Sequence, residues 1–443
     1  MRRIASVLCL ALLLAGASRA EEEPAPPAWT VLHCGALLAV PGEDPLRNVS
    51  VVVRGGRIER VVPGKLDPAS LPGADSEGTE LVDLSDRFVL PGLIDTHVHL
   101  TLELGADYRL HQLQHSDAAT ALEALGRARR TLEAGFTTVR DLGSSGDAVF
   151  ALRDAIARGD VPGPRILAAG APITPTGGHG DRTLGFREDL LAAPGPLQGV
   201  ADGPDECRKA VRAQVKRGAD LIKVIATGGV LSQTAAGTDQ QFMADELEAV
   251  VQTAGLLGRR VAAHAHGSNG IVAALRAGVD SIEHGTLLDD EALELMRGRA
   301  FLVPTLLAAQ SVGERARIRG FFPPEVVQKA LRVAPRARES FSRALAAGVR
   351  IAFGTDSGVS PHGENAREFA QLVAAGMREM DAIVAATTNA AALLGLAYEI
   401  GTIEPGKAAD LIATDGNPLV DISELERVSF VMRAGVIHRR PGP

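Results

Sequence analysis

His97 and His99, in the run Gly92-Leu-Ile-Asp-Thr-His-Val-His-Leu100, have the types and spacing to hold one metal ion between them. A strand that begins after the Pro91-Gly92 turn alternates faces with period two, so both imidazoles point to the same side of its far end. Further potential ligands close other strand-like segments. His264 and His266 lie in Val261-Ala-Ala-His-Ala-His-Gly267, His284 ends Ser281-Ile-Glu-His-Gly, and Asp356 follows Ile351-Ala-Phe-Gly-Thr. Lys223 sits inside the apolar segment Asp220-Leu-Ile-Lys-Val-Ile-Ala. Of the 46 lysines and arginines only six are lysines, so a chain that uses arginine for its surface cations has placed a lysine within a strand. A bare ammonium is costly to bury and tends to lose its charge. The neutral amine can then add carbon dioxide and become a carbamate, an anionic oxygen ligand able to bridge two metals. The alternative for Lys223 is a snorkelling or salt-bridged side chain.

The elements that must position these groups follow from the hydrophobic pattern. Candidate strands are Leu93–Leu100, Thr137–Leu142, Arg165–Ala169, Leu221–Thr227, Val261–Ala265, Ser281–Gly285, Leu302–Leu306 and Arg350–Gly354. Helical stretches such as Ala118–Ala134 and Asp245–Leu257 separate most of them. Eight strands with intervening helices predict an α/β fold, a (β/α)8 TIM barrel whose chemistry lies at the C-terminal strand ends. A doubly wound sheet is the alternative, but no Gly-rich dinucleotide fingerprint follows the first strand. Short alternating segments in 28–90, and again in Lys407–Thr414 and Val428–Ile437, predict a small β-sandwich domain formed by both chain ends. The expected organisation is a signal peptide over 1–20, a Pro-rich linker over 21–27, the first part of the β-domain over 28–90, the barrel over 91–396 and the second part of the β-domain over 397–443.

Composition narrows the class. The chain has 443 residues, 46% hydrophobic and 3% aromatic, with a net charge of −8. That suits a Val/Ile/Leu/Ala-rich parallel core and disfavours nucleic acid as a partner. Arg2 and Arg3, the apolar run Ile4–Gly16 and the small residues Ser18 and Ala20 predict a cleaved signal peptide, hence a periplasmic or secreted protein without a membrane anchor after cleavage. An uncleaved anchor is the alternative. Cys34 and Cys207 then remain, and they are expected to sit apart as small apolar residues rather than as a disulfide.

With these motifs in place, the chain resembles the amidohydrolase superfamily, in its imidazolonepropionase-related branch of Xaa-Pro dipeptidases, carboxypeptidase-like enzymes and ochratoxinase. The resemblance rests on Pro91-Gly-Leu-Ile-Asp-Thr-His-Val-His, Thr137-Thr-Val-Arg-Asp141, Thr176-Gly-Gly-His-Gly180, Lys223, Thr227-Gly-Gly-Val-Leu-Ser232, His264-Ala-His-Gly267, Ile282-Glu-His-Gly285, Gly354-Thr-Asp356 and Gly401-Thr-Ile-Glu-Pro-Gly-Lys-Ala-Ala-Asp-Leu411. It implies one divalent metal held by His97, His99, carboxylated Lys223 and Asp356, and a second held by Lys223, His264 and His284. Zinc is the expected metal, with manganese or cobalt admitted by the same ligands. In such centres the ions stand about 3.5–4 Å apart and a bridging hydroxide attacks the carbonyl. Asp356 is then the catalytic acid and base. The implied substrate is a small peptide or N-acyl amino acid with a carboxylate beside the scissile amide. The same superfamily also contains cyclic amide or imidazolone hydrolases and deaminases, and a non-enzymatic metal-binding barrel is the third alternative. The resemblance also admits a homo-oligomer.

Outside this set, His266 shares the face of His264 and is expected to contact substrate, or else to support a ligand. His179, in Thr174-Pro-Thr-Gly-Gly-His-Gly-Asp181, is expected to contact substrate from a glycine-rich loop, or else to fasten that loop by a hydrogen bond. Arg140 and Asp141 are expected to form a buried structural pair, with substrate-carboxylate binding by Arg140 as the alternative. His111 and His115, spaced i, i+4 with no third ligand in sequence, read as surface residues. His33 and His438 read as structural parts of the small β-domain.

Overall fold

A computed structural model describes residues 29–442 apart from 74–77, 106, 145 and 235–236. The expected signal peptide and linker, 1–27, lie outside the described residues. No helix among the described residues is long and apolar enough to cross a membrane.

The strands in chain order are β1 (Trp29–Leu37), β2 (Leu46–Arg54), β3 (Arg57–Pro63), β4 (Thr79–Pro91), β5 (Leu93–Val98), β6 (Phe136–Asp141), β7 (Arg165–Ala168), β8 (Ile222–Ile225), β9 (Val261–Ala265), β10 (Ser281–His284), β11 (Phe301–Val303), β12 (Arg350–Ile351), β13 (Leu411–Thr414), β14 (Phe430–Arg433) and β15 (Val436–Arg439). β5 to β12 form the barrel. β5-β6-β7 and β8-β9-β10-β11-β12 are two parallel arcs. Parallel bridges Ile173↔Val224 and Val98↔Ser357 join them at both seams and close the ring. Helices follow the strands, as the right-handed crossover of parallel pairing requires. The helix Asp117–Glu133 shows the local logic: Ser116 caps it by accepting from Ala119 N, Asp117 sits in its first turn, and Ala124, Ala128 and Leu132 face the core.

The chain ends build the smaller unit, one sheet in the order β15-β14-β13-β4-β1-β2-β3 that curls round its own apolar core. Its far edges meet where Ile58 pairs with the 406–407 backbone and Gly435 N donates to Ala409 O. The expected Pro91-Gly92 turn is absent. β4 runs to Pro91 and β5 starts at Leu93, so the chain passes from small sheet to barrel through Gly92 alone. A Cβ at residue 92 would stand 2.2 Å from Thr137 Oγ1, which explains the glycine. Cys34 and Cys207 are buried and unpaired, in the small sheet and in the helix Gly203–Lys216 respectively. Burial pushes both thiols up to about 12.

Candidate active site

The polar residues predicted at strand ends gather at the carboxyl end of the barrel, in two adjoining clusters. In the first, Asp356 Oδ1 lies 3.2 Å from His99 Nε2 and 3.5 Å from His97 Nε2. The second brings His264, His266 and His284 together, with ligand nitrogens within 4.8 Å of one another. The His97 and His284 rings, one from each cluster, are 5.1 Å apart between centroids. His284 and Asp356 adopt left-handed backbone conformations, φ 70° and 58°, as does Thr305 at 48°. Non-glycine residues hold such conformations at a cost, and the cost is commonly met at functional sites.

Four of the five imidazoles are oriented from behind. His97 Nδ1 donates to Glu283 Oε2 at 2.9 Å and His99 Nδ1 donates to Gly143 O at 3.1 Å. His284 Nδ1 meets Thr305 Oγ1, and His266 Nδ1 meets Thr286 Oγ1, both at 2.8 Å. In the first two residues this fixes the tautomer that leaves the Nε2 lone pair facing the cluster. Burial holds His264 and His284 well below the ordinary histidine range and takes His97 down to about 4. Burial alone would raise the Asp356 carboxyl, but His97 and His99 outweigh it and lower it. His264 Nε2 and Asp356 Oδ1 are buried without a hydrogen-bond partner among the described residues. Burial alone would lower His99, but the Asp356 carboxylate outweighs it and raises the imidazole. These imidazoles, an ionised carboxylate and inward atoms without partners fit the donor set of a divalent metal site.

Lys223 is 2% exposed, on β8 beside the strand that carries His264. Among the described residues it makes no ion pair, and burial pushes its amine down to about 8. It is a lysine that releases its proton easily, next to both clusters.

Sequence reasoning missed Glu283 and mispaired Arg140. Arg140 does not pair with Asp141: its Nη2 donates to Glu283 Oε1 at 2.8 Å and its Nη1 to Ser281 Oγ at 3.2 Å. Asp141 instead accepts from Leu100 N, Gly143 N and Ser144 Oγ, holding the turns after β5 and β6. Burial would raise Glu283, but Arg140 and then His97 overcome it and hold the carboxyl at about 2. The signal was present in Ser281-Ile-Glu-His284, where an acid occupies the middle of a buried strand. His362 fastens the backbone behind the site through contacts to His99 O and Leu102 O.

A cavity of about 550 Å³ opens over both clusters, a size suited to a small-molecule substrate. His179 lines it, its ring 4.6 Å from His264 and its backbone N held by Gln241. Gly229 allows this approach, since a Cβ there would sit 2.3 Å from the His179 ring. Burial lowers His179 to about 4 and His266 to about 3, so both are neutral donors. Arg182 also lines the cavity, and among the described residues its guanidinium has no ion pair. Val312, Phe321, Phe322 and Val326 give the cavity an apolar wall. His111 and His115, expected on the surface, line the cavity instead, and Glu123 from the next helix meets both rings. His33 remains in the small sheet, its ring against Leu66 O.

A closed (β/α)8 barrel with candidate metal clusters at its carboxyl end has the architecture of a barrel metalloenzyme, with its chemistry at the carboxyl ends of the strands. Residues 88–438 match the Amidohydrolase family, and the chain belongs to that family. It is 34% identical over 432 residues to ochratoxinase from Aspergillus niger, covering 93% of this chain and 87% of that protein. Among solved structures it is similar to a Xaa-Pro dipeptidase with methionine bound in the active site, at 43% identity and a TM-score of 0.86, covering 92% of this chain and 99% of that one. It is also similar to a prolidase complexed with N-methylphosphonate-L-proline, at 34% identity and a TM-score of 0.81, covering 93% and 100%.

Proposed function

We propose that this chain is an exported, binuclear amidohydrolase that cleaves an amide or peptide bond beside a carboxylate-bearing residue, as in dipeptides, C-terminal amino acids or N-acyl amino acids. The observation that carries the reading is Lys223, buried beside two candidate ligand clusters and, among the described residues, without an ion pair. Burial disfavours an ammonium there more than the Glu283 and Asp356 carboxylates favour it. As a carbamate, formed when the amine adds carbon dioxide and loses a proton, it becomes an anionic partner for both clusters. His97, His99 and Asp356 would hold one ion and His264 and His284 the other, with Lys223 between them. Zinc suits these nitrogen and oxygen donors. Divalent ions there supply acidified water and a polarised carbonyl.

The chain's own groups do the rest. Asp356, ionised and facing the cavity, accepts the proton of the attacking water and returns it to the departing amine. The Thr286 hydroxyl can donate to His266 Nδ1, which leaves Nε2–H as a donor toward substrate oxygen. His179 and the free guanidinium of Arg182 are the donors for the substrate carboxylate, and the apolar wall at Phe322 and Val326 takes the side chain or acyl group. The methionine in the dipeptidase and the proline phosphonate in the prolidase both carry a free carboxylate, which supports this substrate class. Export rests on the residue pattern of 1–20 alone. The test is a panel of dipeptides, N-acyl amino acids and lactones given to the zinc-loaded protein. Turnover of the free-acid amides is expected, and turnover confined to lactones or cyclic amides would overturn the assignment.

A further inference from the structure

The geometry points to a third divalent-cation site at the cavity entrance, held by His111, His115 and Glu123 and separate from the catalytic clusters. His111 belongs to the helix Tyr108–Gln114 and His115 follows at its end, one turn on. Their rings stack with centroids 3.8 Å apart and planes 15° from parallel, so both Nε2 atoms face the same way. Glu123, on the next helix, meets them: its Oε2 is 3.0 Å from His111 Nε2 and its Oε1 3.4 Å from His115 Nε2. Donors about 2.0–2.1 Å from a tetrahedral zinc stand roughly 3.3–3.4 Å apart, close to the spacing observed.

The hydrogen bonds leave one imidazole nitrogen of the group without a donor or acceptor suited to it. His115 Nδ1 lies 3.0 Å from His111 O, a carbonyl that can only accept, so Nδ1 carries the proton. The Nε2 of a neutral His115 is then a bare lone pair, and it faces a carboxylate oxygen, also an acceptor. Two acceptors facing each other at 3.4 Å repel, and a cation between them would turn that repulsion into attraction. Arg127 Nη2 donates to Glu123 Oε2 at 3.0 Å but leaves Oε1 to the two imidazoles. All three ligands are about one-third exposed, with side-chain exposures of 37%, 32% and 32%, so an ion can enter from solvent and keep a water. Imidazole with carboxylate suits zinc, cobalt or nickel rather than calcium or magnesium.

Such an ion would act as a fastener. The helix Tyr108–Gln114 has seven residues, too few to be stable alone, yet it brings Tyr108 and Leu110 to the cavity wall. Joining it to Asp117–Glu133 would fix that wall against the barrel.

The experiment is a cobalt titration of the holoenzyme after removal of loosely held zinc, followed by visible absorption and by metal analysis of both elements. One further cobalt per chain should bind, with the tightly held zinc retained. His111→Ala, His115→Ala and Glu123→Gln should each weaken that uptake at least about ten-fold and leave the tightly held zinc unchanged, which also reports that the variants are folded. No additional cobalt in the unmodified protein, or an additional cobalt that survives all three substitutions, would overturn the site. Because the readout is the difference from the variants, it stands or falls independently of how many ions the catalytic clusters hold.

Discussion

Glu283 and His97 meet through a 2.9 Å hydrogen bond beneath the cavity, and the other Glu283 oxygen is held by Arg140 at 2.8 Å. A fully buried carboxylate thus fixes the tautomer of a candidate ligand and is itself neutralised by a fully buried guanidinium. Glu283→Gln keeps the shape and removes the charge. Metal affinity, measured by chelator competition, should fall about 10–100-fold. Thermal unfolding should also shift down, because breaking one side of a buried pair costs about 3–5 kcal/mol. Unchanged chelator competition would mean that Glu283 only fills space.

Lys223→Ala should lower tightly held metal below about two ions per chain and remove most activity. Short carboxylic acids or bicarbonate should restore part of it by standing in for the carbamate. Full activity with unchanged metal content would exclude a ligand role for Lys223.

Asp356→Asn should reduce kcat by about 10²–10⁴-fold with a smaller change in KM, because an amide cannot take up the proton. The pattern to look for is the split between the two constants. A variant with raised KM and normal kcat would make Asp356 a substrate-placing group instead.

Amidating the substrate carboxylate should slow hydrolysis at least about ten-fold, roughly 1.4 kcal/mol in the transition state. Arg182→Gln, His179→Ala and His266→Ala should each narrow the gap between acid and amide. Steady-state rates on matched pairs decide this, and equal rates in the unmodified enzyme would remove carboxylate recognition.

What the sequence disclosed follows a physical pattern. His97 and His99, His264 and His266, and the eight strand segments were legible because period-two alternation and apolar runs are local properties. The helix Asp117–Glu133 was expected one residue later at each end than it is observed. Groupings across elements were not legible. Glu283 pairs with Arg140 only because β6 and β10 face each other through the barrel interior, and adjacent numbering suggested Asp141 instead. Glu123 completes the pair of His111 and His115 only through the packing of two successive helices. The left-handed backbone at His284, Thr305 and Asp356 had no local signal either, since none of these is a glycine.

The most direct test of the central claim is to remove all metal from the protein and add zinc back while following hydrolysis of a free-acid N-acyl amino acid. Activity should be absent in the metal-free chain, rise with added zinc and reach its plateau at about two equivalents per chain. Full turnover in the metal-free protein, or a plateau at one equivalent, would contradict a binuclear centre built around Lys223.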